Sequence, residues 1–222
     1  MFSWFKKQSP PSAPVSPTMR DLLFGDLPLE RWTGDGQSAP WNEFARAQSL
    51  LQRGEQAGAI AIFEGIARLT DVEVRHTLQA WHFLRELGVQ PPPDIAKQVL
   101  GVVVEVGLTE GLDVLAAYRD HHARYWNWSG KGVVWENPDN RLDASIDSLL
   151  KAAENGVAHI GPGDKERPAA VTTDRARINF LTPSGLHFGE APFSALAQEP
   201  LAAPVINAAT RLMQQMIGLT SP

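Results

Sequence analysis

The sequence predicts an α+β fold in which helices pack on an antiparallel β-meander. Between residues 99 and 136, short apolar stretches follow one another with only glycine-containing or polar turns between them. Strands joined by such short turns pair antiparallel. On both sides of this region, apolar residues recur at helical spacing instead. Because the strands run consecutively rather than alternating with helices, an antiparallel sheet is favoured over a doubly wound parallel one.

The first helices are predicted between residues 40 and 88. Ser38 can cap a first helix that has Pro40 in its first turn, and Gly54 ends this helix. A second helix follows, and Asp71 can cap a third. We expect this helical hairpin, or three-helix segment, to pack on the meander.

The first two helices share a residue pattern. Its small, large, glycine, alanine, aromatic and apolar positions are Ala47, Leu50, Gly54, Ala59, Phe63 and Ile66. In this pattern residues 41–69, extending in the longer form to residue 88, resemble one helical hairpin of a tetratricopeptide repeat. The resemblance implies peptide or protein binding, which that family achieves in a groove built by several stacked repeats. No further copy follows at the period of roughly 34 residues, so an ordinary helix pair is the alternative.

Four strands are predicted in the meander, which runs from about residue 100 to residue 136. Residues 99–106 are β-branched and apolar, as expected of a buried central strand. Residues 112–118 and 123–128 follow as the second and third strands, and residues 132–136 return as the fourth. Glycine or polar residues supply each turn.

After the meander, the sequence predicts a helix, two short strands and a final helix. Their expected bounds are 142–154, 176–181, 186–188 and 204–217. Gly156 is expected to stop the first of these helices, and Gly218 is expected to close the last. Pro200 is an alternative start for the last helix.

The chain divides into a tail and one compact unit. Residues 8–18 contain four prolines, which prevent a helix and disfavour a strand. Residues 1–18 are therefore expected to form a flexible tail or linker. Residues 19–90 form the helical segment and residues 91–219 the α+β part, and we expect the two to fold as one unit. The opening MFSWFKK is either a frayed terminus or a weak anchor at a membrane interface.

Composition excludes several classes of function. The chain has no cysteine, which excludes disulfides, thiolate zinc sites and cysteine nucleophiles. Its net charge of −5 disfavours binding to nucleic acid, which requires a basic face. No apolar run approaches the roughly 20 residues that cross a bilayer, so we expect no transmembrane segment and a cytoplasmic location.

Catalytic signatures are missing, and the best polar cluster is the turn at residues 120–122. The sequence contains no Walker-type phosphate loop, dinucleotide fingerprint, HExxH zinc motif or GxSxG nucleophile elbow. His121 and His122 are candidate ligand-binding residues, but neighbouring residues on a strand point to opposite faces. We therefore predict neither a metal site nor a cofactor.

Aromatic side chains of the meander are candidates for a binding surface. They are Tyr118, Tyr125, Trp126, Trp128 and Trp135. Trp126 and Trp128 are expected to share a face with Arg124, whose guanidinium can stack on a ligand. In a simple hairpin register, Trp135 lies beside them. The alternative is that these aromatics belong to the core beneath the two C-terminal helices.

The loop at residues 185–193 is a second candidate site. It combines glycine, proline and phenylalanine with the titratable pair His187 and Glu190, and loops of this composition can form binding sites. His187 could complete a site with the turn at residues 120–122. Alternatively, it is a partly buried histidine satisfied by a backbone carbonyl.

Together these features favour a non-catalytic accessory or adaptor protein that acts through a protein partner. The alternative is a hydrolase-like or small-ligand-binding protein with a site between the 120–122 turn and the 185–193 loop. A further small-ligand site would use Arg124, Trp126 and Trp128. The sequence leaves the oligomeric state open.

Overall fold

The computed structural model describes residues 18–32, 36–163 and 167–220 of the chain. Within these ranges, seven helices accompany a six-stranded antiparallel sheet, and N-terminal helices precede a meander. The predicted α+β class is thereby confirmed. The predicted tail at residues 1–18, with its MFSWFKK opening, lies outside the described residues except for Thr18.

Three helices form the N-terminal segment, and their bounds are α1 Trp41–Gln52, α2 Gln56–Ala67 and α3 Val74–Glu86. α1 packs on α2, and α2 packs on α3. The small residues Ala47 and Ala59 are fully buried in this segment together with Phe63. The segment is thus a helical hairpin extended by a third helix, and its likeness to a tetratricopeptide repeat stays a prediction. A single helical turn, α4 Pro93–Ala96, leads into the sheet.

Six strands form the sheet, in the order β4-β3-β2-β1-β5-β6. Their bounds are β1 Gly101–Leu108, β2 Gly111–Tyr118, β3 Ala123–Trp126, β4 Gly132–Trp135, β5 Arg175–Thr182 and β6 Gly185–Pro192. Every neighbouring pair is antiparallel. The four-stranded meander is confirmed, and the β5–β6 hairpin is added beside β1.

The third strand is shorter than predicted because Asn127 closes a turn. β3 ends at Trp126, whereas the sequence predicts it to continue to Trp128. Asn127 Oδ1 accepts hydrogen bonds from the backbone N–H groups of Ser129 and Lys131, each at 3.1 Å. Trp128 therefore lies in the turn between β3 and β4.

The remaining helices are α5 Asp143–Ala158, α6 Phe193–Leu196 and α7 Ala203–Thr220. Gly156 does not stop α5, as the sequence predicts, but lies inside this helix against Phe180. A Cβ atom at Gly156 would lie 2.9 Å from the Phe180 ring, so the glycine lets α5 approach the sheet closely. α7 begins just before Pro204 and continues past Gly218.

The sheet carries an apolar core on each of its faces. α5 and α7 cover one face, where Val102 and Val104 of β1 are buried. α1, α2 and α3 cover the other face together with residues 23–32, and here Leu100 and Val103 are buried. We call these the α7 face and the α3 face. β1 is buried from both sides, as its β-branched sequence predicts.

Residues 18–32 are held on the α3 face by buried hydrogen bonds. Gln79 of α3 donates from Nε2 to the Leu27 carbonyl at 2.7 Å and accepts at Oε1 from the Leu27 N–H at 3.1 Å. The Tyr118 hydroxyl donates to the Leu23 carbonyl at 2.7 Å. Because buried backbone groups are costly without partners, these contacts make the segment a fixed part of the fold.

Candidate functional site

The turn between β2 and β3 connects the two helical layers. His121 contacts α5, where its Nε2 lies 2.9 Å from Asp147 Oδ1. His122 lies 3.0 Å through Nδ1 from Asp120 Oδ2, and the interaction with Asp120 raises the pKa of His122. The same Asp120 oxygen accepts the Val74 N–H at 2.7 Å at the start of α3. The two histidines therefore serve different layers and do not converge on one site.

Arg124 is buried, and backbone and carboxylate groups occupy its guanidinium. Its Nη1 donates to the carbonyls of Ala123 and Trp135, each at 3.2 Å. Its Nη2 lies 3.4 Å from Glu73 Oε1, just before α3 begins. Arg124 thus ties β3 and β4 to the N-terminal helices, and it is not presented for stacking on a ligand.

The tryptophans of the meander do not form the expected patch on one face. Trp126 pairs with Gly132, whereas Trp135 lies three residues further along β4, an odd separation, so the two indoles lie on opposite faces. Trp135 is buried on the α7 face, and Trp126 is half-buried on the α3 face. Trp128 is 52% exposed in the turn. The register of β3 against β4 is the physical reason for this separation.

The 120–122 turn and the 185–193 segment are also kept apart. β1 and β5 lie between them in the sheet, and most of the predicted loop is strand β6. Within β6, His187 pairs with Phe180 of the α7 face, whereas Glu190 pairs with Arg177 of the α3 face. A joint site of these groups is not formed, because the β5–β6 hairpin joins the sheet beside β1.

Glu190 takes part in a structural ion-pair network. Its Oε1 accepts from Arg175 Nε at 2.6 Å, and its Oε2 accepts from Arg177 Nη2 at 2.5 Å. The hydrogen bond from Arg175 is the largest cause that lowers the pKa of Glu190, and Arg177 adds to it. The carboxylate is consequently charged and doubly paired at neutral pH.

His187 is fully buried, and both of its ring nitrogens have partners. Nδ1 lies 2.9 Å from the Ile160 carbonyl, which can only accept, so Nδ1 carries a proton. Burial lowers the pKa of His187. The neutral ring therefore presents Nε2 as an acceptor, and the Ser184 hydroxyl lies 2.9 Å from it. His187 is the buried histidine satisfied by a carbonyl.

A polar cleft of about 720 Å³ lies where the end of α3 faces the turn between β5 and β6. Residues that line it include Asp26, His82, Arg85, Glu86, Arg167 and Ser184. We call it the Arg85 cleft. It lies at the edge of the α3 face, so its walls come from α3, the β5–β6 turn and loops that pack against both.

Arg85 is mostly buried in this cleft, and no carboxylate of the described residues forms an ion pair with it. Its Nη1 donates to the Pro183 carbonyl at 2.7 Å, which fixes the plane of the guanidinium against the turn. Burial lowers the pKa of Arg85 to about 10, although Asp26 and Glu86 act in the opposite direction. A buried guanidinium with one neutral acceptor retains donors for a further partner.

The other titratable groups of the Arg85 cleft lie next to one another. Asp26 Oδ2 accepts from Arg167 Nε at 2.7 Å. His82 Nε2 lies 3.4 Å from Glu86 Oε1, and burial lowers the pKa of His82. Among the cleft residues that the structure describes, Arg85 is thus the cation whose charge is least compensated.

Comparison of the chain with protein-family models, with curated proteins and with solved structures finds no match. Within residues 18–32, 36–163 and 167–220, no group of three or more histidine or carboxylate side chains could hold a metal ion. None of the helices described there is long and apolar enough to cross a membrane. The functional argument therefore rests on the geometry of the clefts and surfaces.

Sequence reasoning missed Arg85 and Ser184. Arg85 follows the inward-facing Leu84 in the last turn of α3, where a basic residue is ordinary because it suits the helix dipole. Ser184 lies in a turn, where serine is equally ordinary. No local signal in the sequence could have found them, because only the pairing of β5 with β1 brings the 183–185 turn to the end of α3.

Proposed function

We propose that this chain is a binding protein whose ligand is a small molecule with an oxyanion, a carboxylate or phosphate, held in the Arg85 cleft. The observation that carries the proposal is the Arg85 guanidinium, which is mostly buried and lacks an ion pair among the described residues. A buried charge is costly unless an opposite charge or hydrogen bonds compensate it. An oxyanion in the cleft would supply both.

The chemistry of the side chain favours an oxyanion over a simple halide. Guanidinium presents its donors in a planar fork that matches two oxygens of a carboxylate or phosphate. The hydrogen bond to Pro183 holds the fork in place before a ligand arrives. Such preorganisation reduces the entropy lost on binding.

Titration with inorganic phosphate, acetate and chloride at constant ionic strength tests this proposal. We expect phosphate and acetate, but not chloride, to shift the Arg85 Nε–H resonance in NMR spectra. Arg85→Met is expected to weaken oxyanion binding about tenfold to a hundredfold, since hydrogen bonds to charged groups contribute about 1.5–3 kcal/mol. Equal binding by the wild type and by Arg85→Met would overturn the proposal.

Two further variants control this experiment. Arg119→Met makes the same change at an exposed arginine in the turn after β2, and it is expected to leave binding unchanged. Arg85→Lys keeps the positive charge but loses the planar fork, and it is expected to bind oxyanions more weakly than the wild type. If Arg85→Lys bound like the wild type, charge alone would explain the site and the fork argument would fail.

Protein contact through the β4 edge is a second candidate function, which we propose because of the exposed apolar side chains there. β4 is an end strand of the sheet. Val134 on this strand is 50% exposed, and Trp128 in the adjoining turn is 52% exposed. An end strand with exposed apolar side chains is suited to accept a strand from a protein partner.

A photo-crosslinking amino acid at position 134 tests this second proposal. In the source cell it is expected to yield one dominant protein adduct, which disappears when Trp128→Ser is added. The same amino acid at Leu69, an apolar residue beyond α2 that is 40% exposed, is the control and should not yield that adduct. The same adduct from both positions, or none from position 134, would contradict a specific β4 partner.

A further inference from the structure

A second cleft, of about 240 Å³, lies on the opposite side of the sheet from the Arg85 cleft, between α7 and the sheet. Ile206, Ala209 and Met213 face it from α7. Ala208 on the other side of that helix instead borders α5, in a groove shared with Ser148. We call the space under Ala209 and Met213 the α7 cleft.

Most of the side chains that line the α7 cleft are apolar. From the sheet, Val104, Val106 and Leu115 line it, and Phe193 of α6 contributes a ring that is 39% exposed. A cavity of about 150 Å³ with such walls is enough to bind benzene. The α7 cleft therefore has room for an aromatic ring or a short alkyl chain with a few more atoms.

One wall of the α7 cleft is polar and carries a negative charge. The Tyr125 hydroxyl donates to Asp113 Oδ2 at 2.9 Å, and Asp113 Oδ1 accepts the Trp128 N–H at 2.8 Å. Burial is the largest cause that raises the pKa of Tyr125 to about 12, so the phenol keeps its proton. Asp113 forms no ion pair with a described residue, and a carboxylate can accept about four hydrogen bonds.

We propose that the α7 cleft binds a small amphipathic amine, whose ring or alkyl body packs under α7 while its ammonium meets Asp113. The apolar walls supply most of the contact area, and one charged acceptor selects the head group, as in most small-molecule sites. A cation at Asp113 would supply the ion pair that this carboxylate lacks within the described residues. The site is independent of the Arg85 cleft, because the two lie on opposite faces of the sheet.

Three probes with one ring and different head groups test the charge selectivity. They are phenethylamine, phenylethanol and phenylacetate, with binding followed by NMR titration. Phenethylamine is expected to bind at least about tenfold more tightly than phenylethanol, as one charge-assisted hydrogen bond predicts, and phenylacetate is expected not to perturb the cleft. Equal binding of amine and alcohol, or perturbation of the cleft by phenylacetate alone, would overturn the proposal.

Two variants locate the site. Asp113→Asn keeps the shape of the side chain, and it should abolish the preference for amine over alcohol. Ala209→Leu fills the cleft and should abolish binding of both. Ala208→Leu is the matched control, since it makes the same change one residue away, at a side chain that is also 4% exposed but borders α5. Retention of the amine preference in Asp113→Asn would refute the role of the carboxylate.

A direct measurement keeps the proposal falsifiable if the Ala209→Leu protein does not fold. In the wild type, ring protons of bound phenethylamine should give nuclear Overhauser effects to the Met213 methyl group. Arg85→Met should leave these effects unchanged, which separates this site from the oxyanion site. Their absence, with effects to residues elsewhere, would show that the amine binds outside the α7 cleft.

Discussion

Glu105→Gln is expected to destabilise the fold by about 3–5 kcal/mol, which is the usual cost of removing one partner from a buried ion pair. Glu105 lies on β1 and is fully buried on the α3 face. Its Oε1 accepts from Arg20 Nε at 2.5 Å. Its Oε2 accepts from Arg177 Nη1 at 3.3 Å and from Asn179 Nδ2 at 3.1 Å.

The size of the expected loss of stability follows from the buried groups that would lose the Glu105 carboxylate as a partner. Arg177 is only 4% exposed, and it also bonds the Ala169 carbonyl at 2.7 Å. Arg20 donates to the Pro168 carbonyl at 2.9 Å, so Glu105 ties together two distant stretches of chain. A neutral amide cannot compensate the guanidinium of Arg20, which forms no other ion pair with a described residue, and its desolvation would remain as a net cost. Arg177 would keep Glu190 as its carboxylate partner.

Urea unfolding followed by tryptophan fluorescence measures this loss. Glu110→Gln, at an exposed site in the turn between β1 and β2, is the control and should change the free energy of unfolding by less than about 0.5 kcal/mol. The double variant Glu105→Met with Arg20→Met should recover part of the loss, because it also removes the guanidinium that would otherwise be left unpaired. A loss below about 1 kcal/mol in Glu105→Gln would refute a buried, essential carboxylate.

The parts of the fold that sequence could predict are those set by neighbouring residues. The meander follows from β-branched runs and short turns such as the one closed by Asn127. The opposite orientation of His121 and His122 is also local, because both lie in the turn between β2 and β3, where His121 has a φ of 62°. In each case the determining contacts lie within a few residues, so the local pattern carries the information.

Long-range pairing could not be predicted from the same pattern. β1 and β4 are both terminal strands of the meander, so either could have received the β5–β6 hairpin, and the choice depends on how α5 crosses the sheet. That choice separates His187 from the 120–122 turn. It also creates the Arg85 cleft, because it brings the 183–185 turn to α3.

The burial of particular polar side chains could not be predicted from the sequence either. Arginine usually lies at the protein surface, yet the fold buries Arg124 against Glu73. Glu105 interrupts an apolar run and so indicates a partner, but Arg20 is 85 residues away in sequence. The pairing of β3 with β4 places Trp135 in the core and Trp126 on the other face, and a shift of this pairing by one residue would have put both on the same face.

Acidification is expected to weaken the N-terminal packing through His76. This histidine of α3 is 8% exposed, and neither ring nitrogen has a hydrogen-bond partner among the described residues. Its ring packs against Trp41 and Trp32 with centroid distances of 4.7 and 5.6 Å, and against Phe44 at 6.3 Å. The apolar surroundings favour the neutral ring.

The sign of the pH dependence follows from the pKa of His76, which burial lowers from its ordinary value of 6.5. Glu73 and Asp120 oppose this shift, and Arg75 adds to it. Between the lowered pKa and 6.5, the unfolded chain binds the proton more readily than the folded one, so stability falls as the pH falls. The stabilising contribution of neutral His76 is present above about 6.5 and lost below it.

His76→Phe isolates this contribution from that of the other histidines. Phenylalanine keeps the aromatic packing and removes the polar nitrogens, so the variant should match or exceed the wild type near pH 7.5. On acidification to pH 5 it should lose about 1–2 kcal/mol less than the wild type. Burial also lowers the pKa of His82 and His187, so both proteins should retain some slope.

Urea unfolding at a series of pH values provides the comparison. His159→Phe, at an exposed histidine after α5, is the control and should follow the wild-type profile. If the free energy of unfolding changed with pH in the same way for the wild type and His76→Phe, the prediction would be wrong, and protonated His76 would have a hydrogen-bond acceptor in the folded state. If the stability of His76→Phe fell more steeply on acidification than that of the wild type, the sign of the His76 contribution would be reversed. Glu73 and Asp120 would then stabilise the charged form of the buried ring.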